Sequence, residues 1–328
     1  MARLATAFLF LLVVMGAALG GAYLWFARAV LVPGPLAQTT TVVIASGSGL
    51  GGIARQLESG GVVTHGRLFE LEARRSGKAR ALKPGEYRFD AGVSIAGALD
   101  KIVRHDVVVR FVTIPEGLVS ADIFRLLGEA EGLTGEVAAT VDDGDLLPET
   151  YRYEWGDTRA AVVGRMRAAR DQALSELWAN RAQDLPVSTP QEAVILASIV
   201  EKETGVASER PRVAAVFVNR LRRGMKLQSD PTVIYGIAPG AGTLDRAITR
   251  ADLDAPNAFN TYIVTGLPPS PICHPGRAAL AAVLNPLQSD ELYFVADGTG
   301  GHAFAATLDE HNKNVARWRE IEREKAAP

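Results

Sequence analysis

Residues 188–205 read Ser-Thr-Pro-Gln-Glu-Ala-Val-Ile-Leu-Ala-Ser-Ile-Val-Glu-Lys-Glu-Thr-Gly, and this stretch decides how the rest of the chain is read. Thr189 can cap a helix, Pro190 suits its first turn, and Glu192 completes a capping box. Ala193 to Val200 is apolar except for Ser198, so the helix is expected deep in a core. Gly205 is a natural stop. Two glutamates lie near that stop, and helical geometry separates them. At about 100° per residue, Ile195, Leu196, Ile199 and Val200 fall within roughly 80° of Glu203. Glu201 falls about 160° away, beside Val194, Ala197 and Ser198, and is expected on the exposed side. Glu203 therefore continues the bulky apolar stripe. Burial and the negative end of the helix dipole both disfavour its carboxylate form. Both raise its pKa, as a general acid working near neutral pH requires. The alternative is a structural carboxylate paired with Arg210 or Arg212.

C-terminal to this helix, a second one is expected from about Ser208 to Arg223. A polar loop then carries Gln228, Ser229, Asp230 and Tyr235, and later loops carry Asn260, Thr261, Tyr262 and the run Gly266 to Ile272. Amides, hydroxyls and aromatics on proline-fixed loops suit a sugar-binding groove, with ring faces for stacking and fixed hydrogen bonds for hydroxyls. The tail reads as a strand over 291–296, a Gly-rich turn, a return strand from His302, and a last helix opened by Thr307 and Glu310. That turn lacks the Lys-Ser/Thr of a phosphate loop. His302 and His311 fall on different elements, so no metal site is expected. Cys273 beside His274 sits in a Pro-rich loop, a poor setting for a nucleophilic pair.

On the N-terminal side, a turn at Asp142–Asp145 precedes a long helical pattern from about Thr158 to Arg181. Before it, a motif recurs. Val43-Ile44, Gly47, Ile53, Arg55 and Leu57 are matched by Thr113-Ile114, Gly117, Ile123, Arg125 and Leu127. A weaker copy holds Arg88-Phe89, Gly92 and Ile95 to Val103. Each copy reads as strand, glycine turn and amphipathic helix, which makes 41–128 a small α+β module of strand-turn-helix units. Residues 4–27 carry no charge and are long enough to span a bilayer, with Tyr23 and Trp25 as interfacial anchors. The expected order is a cytoplasmic end (1–3), a transmembrane signal anchor (4–27), a linker (28–40), the module (41–128) and a mixed α+β domain (142–328). A cleaved signal peptide is the alternative for the anchor.

Composition narrows the function. Over 328 residues, 35 Lys and Arg face 37 Asp and Glu, a net charge of −2, which argues against a nucleic-acid binder working by bulk charge. The apolar share of 48% excludes wholesale disorder. The single cysteine, Cys273, excludes an internal disulfide and any cysteine-cluster metal site.

Several segments then cohere: Ala197-Ser-Ile-Val-Glu-Lys-Glu-Thr-Gly205, Leu227-Gln-Ser-Asp-Pro-Thr-Val-Ile-Tyr-Gly236, Asn260-Thr-Tyr262, Gly266-Leu-Pro-Pro269, and Tyr293-Phe-Val-Ala-Asp-Gly298 with Gly301-His302. Together they resemble the YceG-like endolytic murein transglycosylases over essentially the whole chain. The resemblance implies an inner-membrane anchor, a LysM-like module and a periplasmic catalytic domain that cuts nascent peptidoglycan strands. It also places the family's catalytic glutamate on Glu203, where Glu203-Thr204 looks like the Glu-Ser pair of other lytic transglycosylases. Two departures are visible: His274 stands where Asn or Thr is expected, and Leu146 to Tyr151 varies a Phe-Pro-Asp-Thr-Tyr-like stretch.

The reaction so implied needs one carboxyl and no cofactor. Glu203 protonates the oxygen between N-acetylmuramic acid and N-acetylglucosamine. It then takes the proton of the muramic 6-hydroxyl, closing a 1,6-anhydro ring. Gln228, Ser229, Asp230, Tyr235, Asn260, Thr261 and Tyr262 would bind the glycan. The implied partners are glycan strands, the inner membrane and the cell-wall synthesis machinery, with no nucleic acid. Two rivals remain open: a hydrolytic muramidase with Asp230 as second carboxylate, and a non-catalytic cell-wall scaffold.

Overall fold

The structure, a computed structural model, describes residues 2–137 and 140–326. Met1 of the expected cytoplasmic end and residues 327–328 of the expected C-terminal domain lie outside them. The chain divides into two compact units. One comprises the residues up to Arg110 with Glu131–Thr134 and Arg152–Asp157, and the other takes in Phe111–Ala130, Gly135–Tyr151 and everything from Thr158 onward.

The first unit opens with helix α1 (Ala2–Ala29), followed by β1 (Thr40–Ile44), α2 (Leu50–Ser59), α3 (Gly66–Arg75), β2 (Gly85–Phe89) and α4 (Ile95–Val103). Among the described residues, α1 is the one helix long and apolar enough to cross a membrane. Strands β1 and β2 pair antiparallel, from Thr40 opposite Phe89 to Ile44 opposite Gly85. Val42, Ile44, Tyr87 and Phe89 thereby face one core with Leu57, Phe69, Leu99 and Ile102. The end of α1 enters the same core through Phe26 and Val30. The Ala96 N–H donates to the Val30 carbonyl at 3.0 Å, and the Gly34 N–H to the Gly92 carbonyl at 3.2 Å. The stretch expected to be a linker is therefore tied to the module from its first turns, because its apolar side chains have a core to enter.

The second unit continues with β3 (Val109–Thr113), α5 (Ser120–Glu129), β4 (Thr150–Glu154), α6 (Arg159–Ala179) and α7 (Pro190–Glu203). It ends with α8 (Arg210–Arg222), α9 (Asp230–Ile237), α10 (Arg250–Asp254), α11 (Arg277–Leu284), β5 (Tyr293–Ala296), β6 (His302–Ala305) and α12 (Leu308–Ala326). The unit boundary passes through β3 and β4, which pair with each other. Three strand-turn-helix units are present, and Gly47, Gly92 and Gly117 turn them with φ of 79°, 67° and 78°, where a Cβ would be strained. The third differs from the expected single module. Its strand does not join β1 and β2, and its helix α5 belongs to the second unit.

Helix α7 is the axis of the second unit. Thr189 Oγ1 accepts the Glu192 N–H at 3.1 Å while Glu192 Oε2 accepts the Thr189 N–H at 3.3 Å, a capping box worth about 1 kcal/mol. Every residue from Ala193 to Val200 is buried, packed among α6, α8 and α11. The result is a mixed helix-and-strand fold of the α+β kind with one N-terminal apolar helix. Strands β5 and β6 form a hairpin running from Tyr293 opposite Ala305 to Ala296 opposite His302.

Candidate active site

Glu203 is the last residue of α7. Its Oε1 accepts the Ser229 hydroxyl at 2.5 Å. Burial pushes its carboxyl up to about 7, against the lowering effect of that hydrogen bond. The charge of Asp230 pushes the same way as burial, while His302 and Arg220 oppose it. The arginines that a purely structural reading would pair with Glu203 are engaged elsewhere. Arg210 lies 3.5 Å from Glu201 and 3.7 Å from Glu116, and Arg212 makes a forked pair with Glu291.

Glu201 departs from its expected exposed placement. Its side chain is only 5% exposed, accepts the Gly276 N–H at 2.8 Å, and is raised in pKa chiefly by burial. The two glutamates do lie on different faces of α7 with different partners, Gly276 and Ser229, but the Glu201 face is not open to solvent. Helix α7 is buried on every face from Ala193 to Val200, and Gly276 and Arg210 cover Glu201 beyond that run, while Lys202 next to it is exposed.

Ser229 is held by a buried hydroxyl cluster. Its N–H donates to Thr261 Oγ1 at 3.0 Å, Thr232 Oγ1 donates to its carbonyl at 2.7 Å, and the two threonine hydroxyls lie 2.8 Å apart. Gln228 just before it takes a left-handed φ of 53°, which turns the chain from Leu227 into α9. Its side-chain oxygen accepts from Arg220 at 3.3 Å. Asp230, expected in a loop, instead opens α9, because Pro231 suits a first helical turn. It is exposed and accepts the Tyr262 hydroxyl at 2.6 Å.

Two expected groove residues do not face a groove. Asn260 is 1% exposed, and its amide caps the carbonyls of Asp252, Leu253 and Ala255 at 3.3, 3.0 and 2.9 Å. Thr261 is fully buried in the cluster that carries Ser229. Both are scaffold: a polar side chain in a Pro- and Asn-rich segment is as useful for satisfying a turn's backbone as for meeting a ligand.

Beside the end of α7 opens a cleft of about 610 Å³, lined by Lys202, Asp230, Ile234, Tyr235, Leu244 and Arg246 among others. The Tyr235 hydroxyl donates to Asp143 Oδ2 at 2.8 Å, and its ring lies 4.9 Å from that of Phe259. Sequence reasoning missed Asp143, since nothing at a separation of 92 residues marks it as a neighbour of Tyr235, and it missed the nearby 242–248 segment, which carries no motif of its own. It also left His274 without a role. That ring is fully buried, and its Nδ1 accepts the N–H groups of Gly144 at 3.2 Å and Leu146 at 3.1 Å. Its Nε2 lies 2.9 Å from Ser120 Oγ, and burial holds it well below the ordinary imidazole range. Cys273 is equally inert: its buried thiol donates to the Ser198 carbonyl at 3.3 Å and is pushed up by burial. Among the described residues no group of three His, Cys, Asp or Glu is placed to hold a metal ion.

The site therefore offers one carboxyl poised near neutrality and one hydroxyl fixed on it, and their chain neighbours Lys202 and Asp230 line an open cleft whose other walls are Tyr235, Arg246 and largely aliphatic side chains. A carboxyl so placed can both give and take a proton near neutral pH. The YceG-like family pattern matches residues 42–317, and the chain belongs to that family. It is 28% identical to the endolytic murein transglycosylase of Bacillus subtilis, over 94% of this chain and 92% of that one. It is 30% identical to the endolytic murein transglycosylase of Streptococcus pneumoniae D39, over 84% of this chain but only 58% of that longer protein. The crystal structure of a yceG-like protein from Listeria monocytogenes aligns with a TM-score of 0.51 at 27% identity, covering 84% of this chain and 99% of that one.

Proposed function

We propose that this chain is a lytic transglycosylase of peptidoglycan, a lyase, with Glu203 as its acid and base. The observation that carries the reading is the Glu203 carboxyl raised to about 7 with the Ser229 hydroxyl on it. A carboxyl near that value is protonated often enough to give its proton to a glycosidic oxygen, and basic enough to take one back. Protonation breaks the bond between N-acetylmuramic acid and N-acetylglucosamine. The muramic 6-hydroxyl then attacks the anomeric carbon while the Glu203 carboxylate removes its proton, so the proton count closes with no water consumed. In this scheme Ser229 orients the carboxyl, and Asp230 with Tyr262 borders the reacting sugar. The names of the Bacillus and Streptococcus relatives support the substrate class.

The rest of the chain fits work at a membrane surface. Helix α1 anchors the protein in the inner membrane as a single pass, the second unit lies on the periplasmic side, and the 41–128 region acts as a LysM-like glycan-engaging part. Contact with the cell-wall synthesis machinery follows from cutting strands as they are made.

The test is mass spectrometry of purified glycan strands digested by the full chain. Products ending in 1,6-anhydro-muramic acid, one water lighter than reducing ends, support the lyase. Reducing-end products would make the enzyme a muramidase instead. A Glu203→Gln protein that binds glycan but no longer cuts it excludes a purely scaffolding role.

A further inference from the structure

The end of α1 packs into the core of the first unit. Phe26 is 7% and Val30 3% exposed, both inside the core that holds Leu57 and Phe69. Just before them, Tyr23 and Trp25 are 58% and 64% exposed, the residue types that settle at a bilayer interface. Trp25 shares a cleft of about 390 Å³ with His65, Arg67 and Leu68 at the start of α3, and Tyr23 is near enough to Arg75 to interact with its charge. Helix α3 thus lies beside the point where α1 leaves its apolar stretch.

The face that α3 turns outward is unusual. Phe69, Glu72 and Ala73 point into the core, while Arg67, Leu71, Arg74 and Arg75 are exposed at the spacing of one helical face. Leu71 is 50% exposed between those arginines. Arg74 and Arg75 pair with Glu70 at 2.9 Å and Glu72 at 2.8 Å, yet stay 63% and 49% exposed. From Arg67 to Lys83 the sequence carries six basic residues and two acidic ones, in a chain whose net charge is −2. An exposed apolar side chain framed by arginines, on a helix fixed next to a membrane span, matches the surface of an anionic bilayer.

We propose that α3 is a foot that rests on the membrane, with Leu71 at the headgroup boundary and Arg67, Arg74 and Arg75 on anionic lipid headgroups. The contact fixes the height and tilt of the first unit above the bilayer. This rests on the reading of α1 as a membrane span.

The experiment uses the full chain in vesicles of phosphatidylcholine alone or with phosphatidylglycerol, and environment-sensitive dyes on single introduced cysteines. Cys273 is fully buried, so the dye reports the introduced site. Leu71→Cys tests the foot, Leu12→Cys in α1 tests the span, and Leu287→Cys, 50% exposed in the second unit, is the reference. With each basic contact strengthening association about fivefold, headgroup-nitroxide quenching at position 71 should exceed that at 287 several-fold in phosphatidylglycerol vesicles. It should fall to the reference level in phosphatidylcholine, in high salt, or in the Arg67→Gln/Arg74→Gln/Arg75→Gln protein. Equal quenching at 71 and 287 while position 12 is quenched by acyl-chain nitroxides overturns the foot and leaves the span intact. Absence of quenching at position 12 overturns the span itself. Protection of position 71 that follows protein concentration and ignores lipid charge assigns the face to a protein partner and also overturns the proposal.

Discussion

The Ser229 hydroxyl sits 2.5 Å from Glu203 Oε1, and it is the one side-chain hydrogen bond among those that bear on the raised carboxyl. It opposes burial, which is the larger effect. Removing it therefore changes the titration of Glu203 in a known direction. In Ser229→Ala the carboxyl should titrate higher than about 7, and the alkaline fall of kcat/KM, which reports loss of the acid form in the free enzyme, should move to higher pH. Glu203→Gln should abolish turnover by on the order of 10²-fold or more. Unchanged pH profiles in Ser229→Ala would remove the hydroxyl from the acid–base centre.

The same carboxyl predicts a stability effect. Its folded pKa lies above its unfolded one, so its favourable contribution is full below about 4.5 and is lost as pH rises through about 7. Above that range the folded protein carries a buried charge that costs on the order of 3 kcal/mol relative to a neutral residue of the same shape. Glu203→Gln should accordingly gain melting temperature relative to the parent at pH 8 and show little difference at pH 5. A difference that is the same at both values contradicts the raised pKa.

Glu201 should matter to folding rather than to chemistry. Glu201→Ala strands the Gly276 N–H and leaves Arg210, whose Nε already lacks a partner, with Glu116 alone. The expected cost is about 1–3 kcal/mol, read as a lower denaturant midpoint. Glu201→Gln keeps an acceptor for Gly276 and should lose less. Activity per folded molecule should fall far less than in Glu203→Gln, and equal loss in two folded proteins would refute the division of roles.

Asp230 and Tyr262 offer a test of reaction class. Asp230→Asn and Tyr262→Phe each weaken the 2.6 Å contact between them without emptying the site. Each should slow cleavage in part, while every product still ends in the anhydro ring. A covalent glycosyl-Asp230 adduct, or water-derived reducing ends as the main product, would move the enzyme among the hydrolases.

The sequence by itself determined several of the elements and the helical face on which Glu203 lies. The capping box at Thr189 and Glu192, the apolar run to Val200 and the glycine turns at 47, 92 and 117 are local signals, written within a few residues and obeyed locally. The same locality placed Glu203 on the bulky stripe. Only the tertiary structure decided what encloses those elements. A helical wheel ranks faces but cannot say which of them neighbours cover, and Glu201 is buried against Gly276, 75 positions away. Thr261 is scaffold because Ser229 and Thr232, 32 and 29 positions away, use up its hydrogen bonds, whereas Asn260 is taken up nearer by, by the carbonyls of Asp252, Leu253 and Ala255. Asp143 reaches Tyr235 across 92 positions. Such pairings come from packing and from the need to satisfy every buried polar group, which no periodicity along the chain encodes.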